Sequence, residues 1–283
     1  MKTLICLDSG TTNTRGWLVR GTEVLLRRSV AAGVRDTART GSRDFLLKAI
    51  REVVGELAAA EKTRPAAILA AGMITSSLGI EEVRHLPAPT GVGDIAAGVR
   101  RVDLEDIVGV PIYLVPGVSS GGSCDSFEDL GSRDVMRGEE TLCLGIASET
   151  GRKEAFDVLN LGSHWKTISV SAEAKIERSV TSLAGEMIFA VQSQTVIASG
   201  LPKGQIETLD YGWAKAGMNE AKRAGLTRSA FCVRLLELAS MGTPEQRMSF
   251  LIGAFVGSEM EDLLDRGILS REREIMISGG EAV

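Results

Sequence analysis

The chain has 283 residues, with 37 Asp and Glu against 32 Lys and Arg and a formal net charge of −5. This length suits two domains of roughly 120–150 residues each, and the lack of a basic tract speaks against nucleic acid as a partner. Four cysteines without a CxxC spacing and only two histidines argue against a disulfide frame and a His- or Cys-rich metal site. No apolar run approaches the ~20 residues of a membrane span or forms a signal peptide, so we expect a cytoplasmic protein without a membrane partner.

The chain opens with a predicted strand, turn and strand. Four apolar residues, 4–7, lead to Asp8, and residues 9–13 supply a turn with one glycine and several hydroxyl and amide groups. A carboxylate at a strand end can hold Mg²⁺ through water. The backbone N–H groups of residues 10–12 suit phosphate oxygens. A simple β-hairpin with a polar turn is the alternative interpretation.

The next elements predict a sheet covered by a helix. Residues 23–30 are predicted as a third antiparallel strand, and 42–62 as a helix with Ser42 as its N-cap. Residues 66–71 are predicted as a short buried strand that runs into a small-residue loop, 72–79. Ligands of α/β proteins bind at such strand ends, although a tight connection is an equal alternative.

The middle of the chain is predicted to be less regular. Prolines around residues 85–98 indicate an irregular surface segment, with His85 as a surface residue. Residues 112–115 are predicted as a strand, and 119–123 as a flexible glycine- and serine-rich loop.

Five charged residues crowd the segment 133–140, in front of an apolar run, 142–146, that we predict as a strand. A solvated charge cluster would be ordinary. However, Asp134 and Arg137 are interleaved with apolar residues, which indicates partial burial, and buried charges need partners or a ligand. We therefore predict a hinge near residues 136–141, between an N-terminal lobe, 1–137, and a C-terminal lobe, 138–283.

The second half repeats the opening pattern. Residues 155–161 are predicted as a strand, 162–167 as a glycine and hydroxyl turn, and 168–171 as the returning strand. This turn adds Lys166, a point charge that suits phosphate.

The rest of the chain is predicted to be mostly helical. Helices are expected at 185–198, 209–224 and 227–241, and a capping box with Pro at the first helical position opens another at 243. We expect this last helix to end near Gly267. A final strand at 274–278 precedes Gly279 and Gly280, which would let a flat ring lie close to the backbone, unless they are only a frayed terminus.

Two glycine turns, an acidic hinge and a late strand followed by Gly-Gly form the pattern of the actin-like ATPase and sugar kinase superfamily. Within it, the chain most closely resembles the 2-dehydro-3-deoxygalactonokinases. The most specific match is the unbroken Asp-Val-Met-Arg-Gly-Glu-Glu-Thr at 134–141. The other matching motifs lie at 8–15, 72–76, 159–167 and 184–186, and the resemblance runs from residue 4 to the last residue.

The chain departs from the family pattern at a few positions. Ser9 stands where the family usually has Trp, Leu161 where it has Pro, and Ala184 where it has Thr. Trp165 and Lys166 stand where the family has Ser-Lys, and the chain stops after the Gly-Gly motif, where relatives usually continue into a helix.

The resemblance implies an α/β fold of two actin-like, ribonuclease H-like lobes with ATP and Mg²⁺ in the cleft between them. The implied reaction is phosphorylation of the 6-hydroxyl of 2-dehydro-3-deoxy-D-galactonate. The catalytic residues would be Asp134 as the base and Asp8 as the carboxylate that holds Mg²⁺ through water. Nucleotide contacts are expected from Gly10, Thr11, Thr12, Asn13, Gly162, Ser163, His164, Lys166, Gly279 and Gly280.

Sugar-acid contacts are expected from Arg15, Met73, Ser76, Arg137, Glu139 and Glu140. Arg15 or Arg137 would pair with the carboxylate of the substrate. The two glutamates would either accept hydrogen bonds from sugar hydroxyls or buttress Arg137.

Three other functions remain open at this stage. The protein could phosphorylate another sugar acid, or it could bind ATP as a sensor without transferring phosphate. A transcriptional regulator on the same fold is disfavoured because no helix-turn-helix or basic segment precedes Leu4. A homodimer is compatible with each of these functions.

Overall fold

The computed structural model describes residues 2–60, 64–104, 109–123 and 125–279. These residues form two compact units. The first holds the described residues up to Ala155 together with Val170–Ser179, and the second holds Phe156–Ser169 with the described residues from Val180 onward. Both units mix helices and strands, which confirms the predicted α/β class. The predicted lobe boundary between residues 137 and 138 stays a prediction.

The first unit is built on a six-stranded sheet and a smaller three-stranded sheet. The described strands up to residue 155 are β1 (Leu4–Ser9), β2 (Thr14–Arg20), β3 (Glu23–Val30), β4 (Ile68–Gly72), β5 (Leu86–Pro87), β6 (Arg100–Val102), β7 (Ile112–Leu114), β8 (Val118–Ser120) and β9 (Asp134–Met136). The described helices are α1 (Val34–Thr40), α2 (Asp44–Ala59), α3 (Val92–Gly98) and α4 (Glu139–Thr150), with 3-10 turns at Met73–Thr75 and Leu130–Ser132.

The larger sheet has the order β3-β2-β1-β4-β7-β6. Strands β1, β4 and β7 run parallel, so their carboxyl ends share one edge of the sheet. In β1, Ile5, Leu7 and Ser9 are buried while the residues between them are more exposed, as the period of a strand requires. Helix α2 places its buried apolar stripe in the same core. The three antiparallel strands predicted at the start of the chain, β1 to β3, are confirmed.

Helix α2 starts two residues later than predicted. Ser42 accepts a hydrogen bond from the Asp44 backbone N–H (3.1 Å), but the capping position is Arg43. Residues 61–63, at the predicted end of this helix, lie outside the described residues.

The smaller sheet has the order β5-β8-β9 and corrects two predictions. The segment 85–98 is not irregular throughout, because it contains β5 and α3. Pro87 is compatible with β5 because that strand lies at the sheet edge, and α3 begins where the Gly91 N–H donates to Asp94 (2.9 Å). The segment 119–123 is not wholly a flexible loop, because β8 extends to Ser120, which is buried.

The predicted strand at 142–146 is wrong, because these residues lie inside α4. The buried residues of this segment are Glu140, Cys143, Leu144 and Ala147, a spacing of three and four that belongs to a helix. Two acidic residues in the first turn also favour a helix start, where the backbone dipole is positive. A short apolar run does not by itself distinguish strand from helix.

The remaining elements are β10 (Phe156–Leu161), β11 (Trp165–Val170), β12 (Ile176–Ser182), α5 (Ala184–Gln194), a 3-10 turn (Val196–Gly200), α6 (Tyr211–Ala224), α7 (Leu226–Leu238), α8 (Pro244–Asp265) and β13 (Glu274–Gly279). Their sheet has the order β12-β11-β10-β13, with β10 and β13 parallel. The predicted helices and final strand are confirmed to within a few residues. The capping box is confirmed as well: Thr243 accepts from the Gln246 N–H (3.2 Å), and Gln246 accepts from the Thr243 N–H (3.0 Å). Among the helices that the structure describes, none is both long and apolar enough to cross a membrane.

Candidate active site

Asp8 lies near the carboxyl end of β1, where the parallel strands of the larger sheet end. It is paired with Arg15 across the β1–β2 hairpin. The Arg15 Nη1 atom lies 3.9 Å from Asp8 Oδ2, and the two side chains are 55% and 41% exposed, respectively. An ion pair this long and exposed contributes little to stability, so both side chains are available for a ligand.

Two glycines bring other backbone segments close to Asp8. Gly72 ends β4 with φ 87°, and a Cβ placed on it would lie 2.8 Å from Asp8 Oδ1. Gly138 precedes α4 with φ 111°, and its Cβ position is 3.4 Å from Gly72 Cα and 3.8 Å from Asp8 Oδ1. Both backbone conformations favour glycine. The ends of β1 and β4 and the start of α4 therefore meet around one carboxylate.

The pKa of Asp8 is raised above its ordinary value, and the largest cause is burial among these segments. The Glu139 carboxylate raises the pKa further, whereas Arg15 lowers it. A carboxylate that is costly to ionise gains when a cation comes near. The local charges therefore suit a magnesium ion that accompanies phosphate.

The turn after β1 is held in place by the start of α1. Within the turn, the Gly10 N–H donates to Asn13 O (2.9 Å). The N–H groups of Val34 and Arg35 donate to Gly10 O (3.2 Å) and Thr11 O (3.0 Å). A Cβ on Gly33 would lie 2.6 Å from Thr11 O, so the two backbones are in direct contact. The phosphate-type turn is thus fixed by hydrogen bonds to its carbonyl oxygens.

The second turn was predicted at 162–167 but is shorter, because β11 already begins at Trp165. The remaining turn, 162–164, has the same support as the first. The Glu186 N–H, in the first turn of α5, donates to Ser163 O (2.8 Å). A Cβ on Gly185 would lie 2.7 Å from Ser163 O and even closer to Gly162 O. His164 Nε2 lies 3.5 Å from Glu186 Oε1. The loose repeat in the sequence therefore corresponds to a repeated arrangement of strand, turn and helix start.

The other predicted nucleotide contacts lie in β11 and β13. Gly279 is paired with Leu161, the residue that precedes the second turn, so the end of β13 lies beside that turn. Gly280 lies outside the described residues. Lys166 follows the turn in β11 and is only 6% exposed.

The Arg137 side chain is hydrogen-bonded to other residues of the first unit. Its Nη1 donates to Thr75 Oγ1 (2.8 Å), and its Nη2 donates to Val83 O (2.8 Å). The same Nη2 lies 3.5 Å from His85 Nδ1, so His85 is partly buried beside Arg137 and is not a simple surface residue. Burial lowers the pKa of Arg137, and Glu82 and Glu140 oppose that shift. Arg137 therefore fastens the segment after β4 to the start of α4.

The other predicted substrate residues differ in burial and in hydrogen bonding. Glu140 is completely buried, and both of its carboxylate oxygens accept the Gly138 N–H (2.9 and 2.8 Å). Ser76 donates to Met73 O (2.7 Å), which closes the turn after β4. Glu139, the first residue of α4, is half-buried and acts electrostatically on Asp8.

The structure also shows supporting residues that sequence reasoning missed. Thr75 accepts a hydrogen bond from Arg137 and donates one to Gly72 O (3.0 Å). It thus connects the arginine to the glycine beside Asp8. Thr75 and Gly33 carried no signal in the sequence beyond their small size. Among the described residues, no three His, Cys, Asp or Glu side chains are grouped to hold a metal ion.

The described residues thus form an α/β protein with two braced glycine turns, one in each unit, and a carboxylate at the end of the first strand. The chain belongs to the 2-keto-3-deoxy-galactonokinase family, whose sequence model matches residues 8–283. Members of this family are sugar-acid kinases and use ATP. The predicted family and enzyme class are confirmed.

Individual relatives agree with this assignment. The chain is 28% identical over 266 residues to the 2-dehydro-3-deoxygalactonokinase of Escherichia coli K12, covering 92% of this chain and 80% of that protein. A Rhizobium meliloti protein named for the same activity is 26% identical over 263 residues, a match that covers 91% of this chain and 79% of the Rhizobium protein. A crystal structure of a Sinorhizobium meliloti protein, also named for this activity, has a TM-score of 0.75 at 22% identity and covers 99% of this chain and 93% of that one. This last likeness supports the fold.

We expect Gly33→Ala to weaken ATP binding and to destabilise the protein by about 1–3 kcal/mol, the usual cost of overpacking. The new methyl group would press on Thr11 O at 2.6 Å, so the first turn or α1 must shift. Urea unfolding and ATP titration measure the two effects. Gly55→Ala in α2 is the matched control, because its Cβ would have no atom within 4 Å. Equal behaviour of the two variants would contradict this account of the turn.

We expect Asp8→Asn to raise the free energy of unfolding at pH 7 while removing magnesium-dependent ATP binding. At pH 7 the carboxylate is ionised in both states, but only the folded chain holds it in partly desolvated surroundings. Because the folded-state pKa is raised, this penalty disappears as pH falls through that pKa and Asp8 takes up a proton. Urea unfolding at several pH values from about 4 to 7 tests the trend. Asp103→Asn is the control, because the Asp103 side chain is 65% exposed. A lower free energy of unfolding for Asp8→Asn than for the wild type at pH 7 would contradict this prediction.

Proposed function

We propose that this protein transfers the γ-phosphoryl group of ATP to the 6-hydroxyl of 2-dehydro-3-deoxy-D-galactonate. The observation that carries the proposal is the family match over residues 8–283. It is supported by the crowded carboxylate at the end of β1 and by the two braced glycine turns. Phosphoryl transfer needs positioning and charge neutralisation more than covalent chemistry, and both features serve those needs.

In this proposal the backbone of each glycine turn contributes to binding the phosphates of ATP. The residues assigned to the nucleotide are Gly10, Thr11, Thr12, Asn13, Gly162, Ser163, His164, Lys166, Gly279 and Gly280. Magnesium would be held by Asp8 through water and would neutralise phosphate charge. The Gly10 N–H already donates to Asn13 O, so the N–H groups of Thr11 and Thr12 are the donors proposed for the first turn. Rigid turns suit this task because such groups need no rearrangement when phosphate binds.

The carboxylate of the sugar acid needs a cation, and two arginines were predicted for it. Arg137 already donates from both terminal nitrogens to Thr75 and Val83, whereas the Arg15 side chain is 55% exposed. We assign the substrate carboxylate to Arg15, which can offer a bidentate contact. Met73, Ser76 and Glu139 are assigned to the sugar on the basis of the family motifs. Asp134 is the base that the resemblance implies.

The proposal also includes the location and the assembly of the protein. A cytoplasmic location agrees with a need for ATP, and a homodimer stays a prediction. A kinase of another sugar acid and an ATP-binding sensor are the competing functions.

A coupled assay of ADP release tests the proposal directly. The purified protein with ATP and Mg²⁺ is offered 2-dehydro-3-deoxy-galactonate, other 2-keto-3-deoxy sugar acids, galactonate and gluconate. We expect the highest kcat/KM with 2-dehydro-3-deoxy-galactonate and a phosphate ester at its 6-hydroxyl. A higher kcat/KM with another acid would replace the substrate. Consumption of none, with ATP and Mg²⁺ still raising the melting temperature, would support the sensor.

Arg15→Gln and Arg137→Lys are expected to behave differently in this assay. Arg15→Gln should raise KM for the sugar acid at least ~10-fold, since a charge-assisted bidentate contact is lost. It should also remove the preference for the acid over the corresponding neutral sugar. Arg137→Lys should keep that preference but lower stability by about 1.5–3 kcal/mol, the scale of a hydrogen bond from a charged donor. The assignment is wrong if the preference is lost in Arg137→Lys and kept in Arg15→Gln.

A further inference from the structure

Three carboxylates lie in the segment 134–140, and a sugar kinase needs one acid close to the acceptor hydroxyl and to the phosphates. The three are Asp134, Glu139 and Glu140. Their positions in the structure differ enough to separate their roles.

Glu140 has a structural role. Its side chain is completely buried, and both oxygens accept the N–H of Gly138. Its charge also supports that of Arg137, the arginine fastened to Thr75 and Val83. A carboxylate that closes its own turn in this way is not available to a substrate.

Asp134 lies in the smaller sheet. It is the first residue of β9 and is paired with Ser120 of β8. Its backbone thus belongs to the smaller sheet and precedes Gly138, the glycine that lies beside Asp8, by four residues.

Glu139 is placed at the end of β1 by the backbone. The preceding residue, Gly138, has its Cβ position 3.4 Å from Gly72 Cα and 3.8 Å from Asp8 Oδ1. Glu139 is the first residue of α4, and its charge adds to the pKa shift of Asp8. Among the three acids of the segment, Glu139 is thus the one that acts at the carboxylate assigned to the magnesium ion of ATP.

We propose that Glu139 is the catalytic residue that accepts the proton of the sugar-acid hydroxyl, and that Arg137 and Glu140 are positioning residues that hold it beside Asp8. This inference rests on the proposed kinase function. The substrate oxygen forms a bond to the γ-phosphorus of ATP while the bond from that phosphorus to the β–γ bridging oxygen breaks. ADP leaves with the electron pair, and the hydroxyl proton passes to a carboxylate oxygen of Glu139.

The test compares Glu139→Gln with Asp134→Asn, each of which removes the charge at nearly constant shape. We expect Glu139→Gln to lower kcat by about 10²–10⁴-fold, the usual contribution of a general base, and Asp134→Asn to lower it much less. ADP release with the sugar acid gives kcat, and the rise in melting temperature with ATP and Mg²⁺ reports nucleotide binding. Glu149→Gln is the matched control, because this exposed glutamate lies on the last turn of the same helix.

Each outcome decides one point. A large loss of kcat in Glu139→Gln, with the ATP-dependent rise in melting temperature retained, supports the proposal. The proposal is overturned if Glu139→Gln keeps kcat within ~10-fold, below the range for a general base, if Asp134→Asn loses more, or if Glu139→Gln no longer binds ATP and Mg²⁺. A wild-type protein that phosphorylates none of the sugar acids would refute the proposed function itself.

Discussion

The architecture of the candidate site depends on the approach of three backbone segments to one carboxylate. At Gly72 an added Cβ would lie 2.8 Å from Asp8 Oδ1, and at Gly138, which precedes α4 with φ 111°, it would lie 3.4 Å from Gly72 Cα. The backbone of these glycines therefore occupies the space beside Asp8 that larger residues would fill with side chains. Backbone held by sheet and helix moves less than a long side chain, which suits a site that must fix phosphate and metal within a fraction of an ångström.

The same construction principle fixes both phosphate-type turns. In each case a glycine at a helix start allows the helix backbone to touch the turn, and helix N–H groups donate to the carbonyl oxygens of the turn: Val34 and Arg35 to Gly10 and Thr11, and Glu186 to Ser163. With the carbonyl oxygens bound on the helix side, the turn keeps one conformation. In the proposed kinase, the helices would contribute to phosphate binding by keeping each turn rigid.

Local patterns predicted most of the fold but not the connections between distant segments. The opening strand was predicted from its run of four apolar residues, 4–7, and the long helix α8 from its capping box at Thr243. Helix α4 was predicted as a strand because five residues are too few to separate the two periods. The bond from Arg137 to Thr75 joins residues 62 positions apart, and no local pattern contains it. The family motif identified which residues matter, but only the tertiary structure separates Glu140, which braces its own turn, from Glu139, which acts on Asp8.

Burial has a larger effect on Asp8 than the charges around it. Arg137 and Glu140 support each other inside their turn, while Arg15 lowers the pKa of Asp8 and Glu139 raises it. The pKa is nevertheless raised because desolvation of the carboxylate outweighs the effect of Arg15. Holding this carboxylate in its ionised form therefore costs stability, and such local destabilisation persists when function requires it. In the proposed kinase, a divalent cation brought in by ATP would offset that cost at the moment when the phosphoryl group arrives.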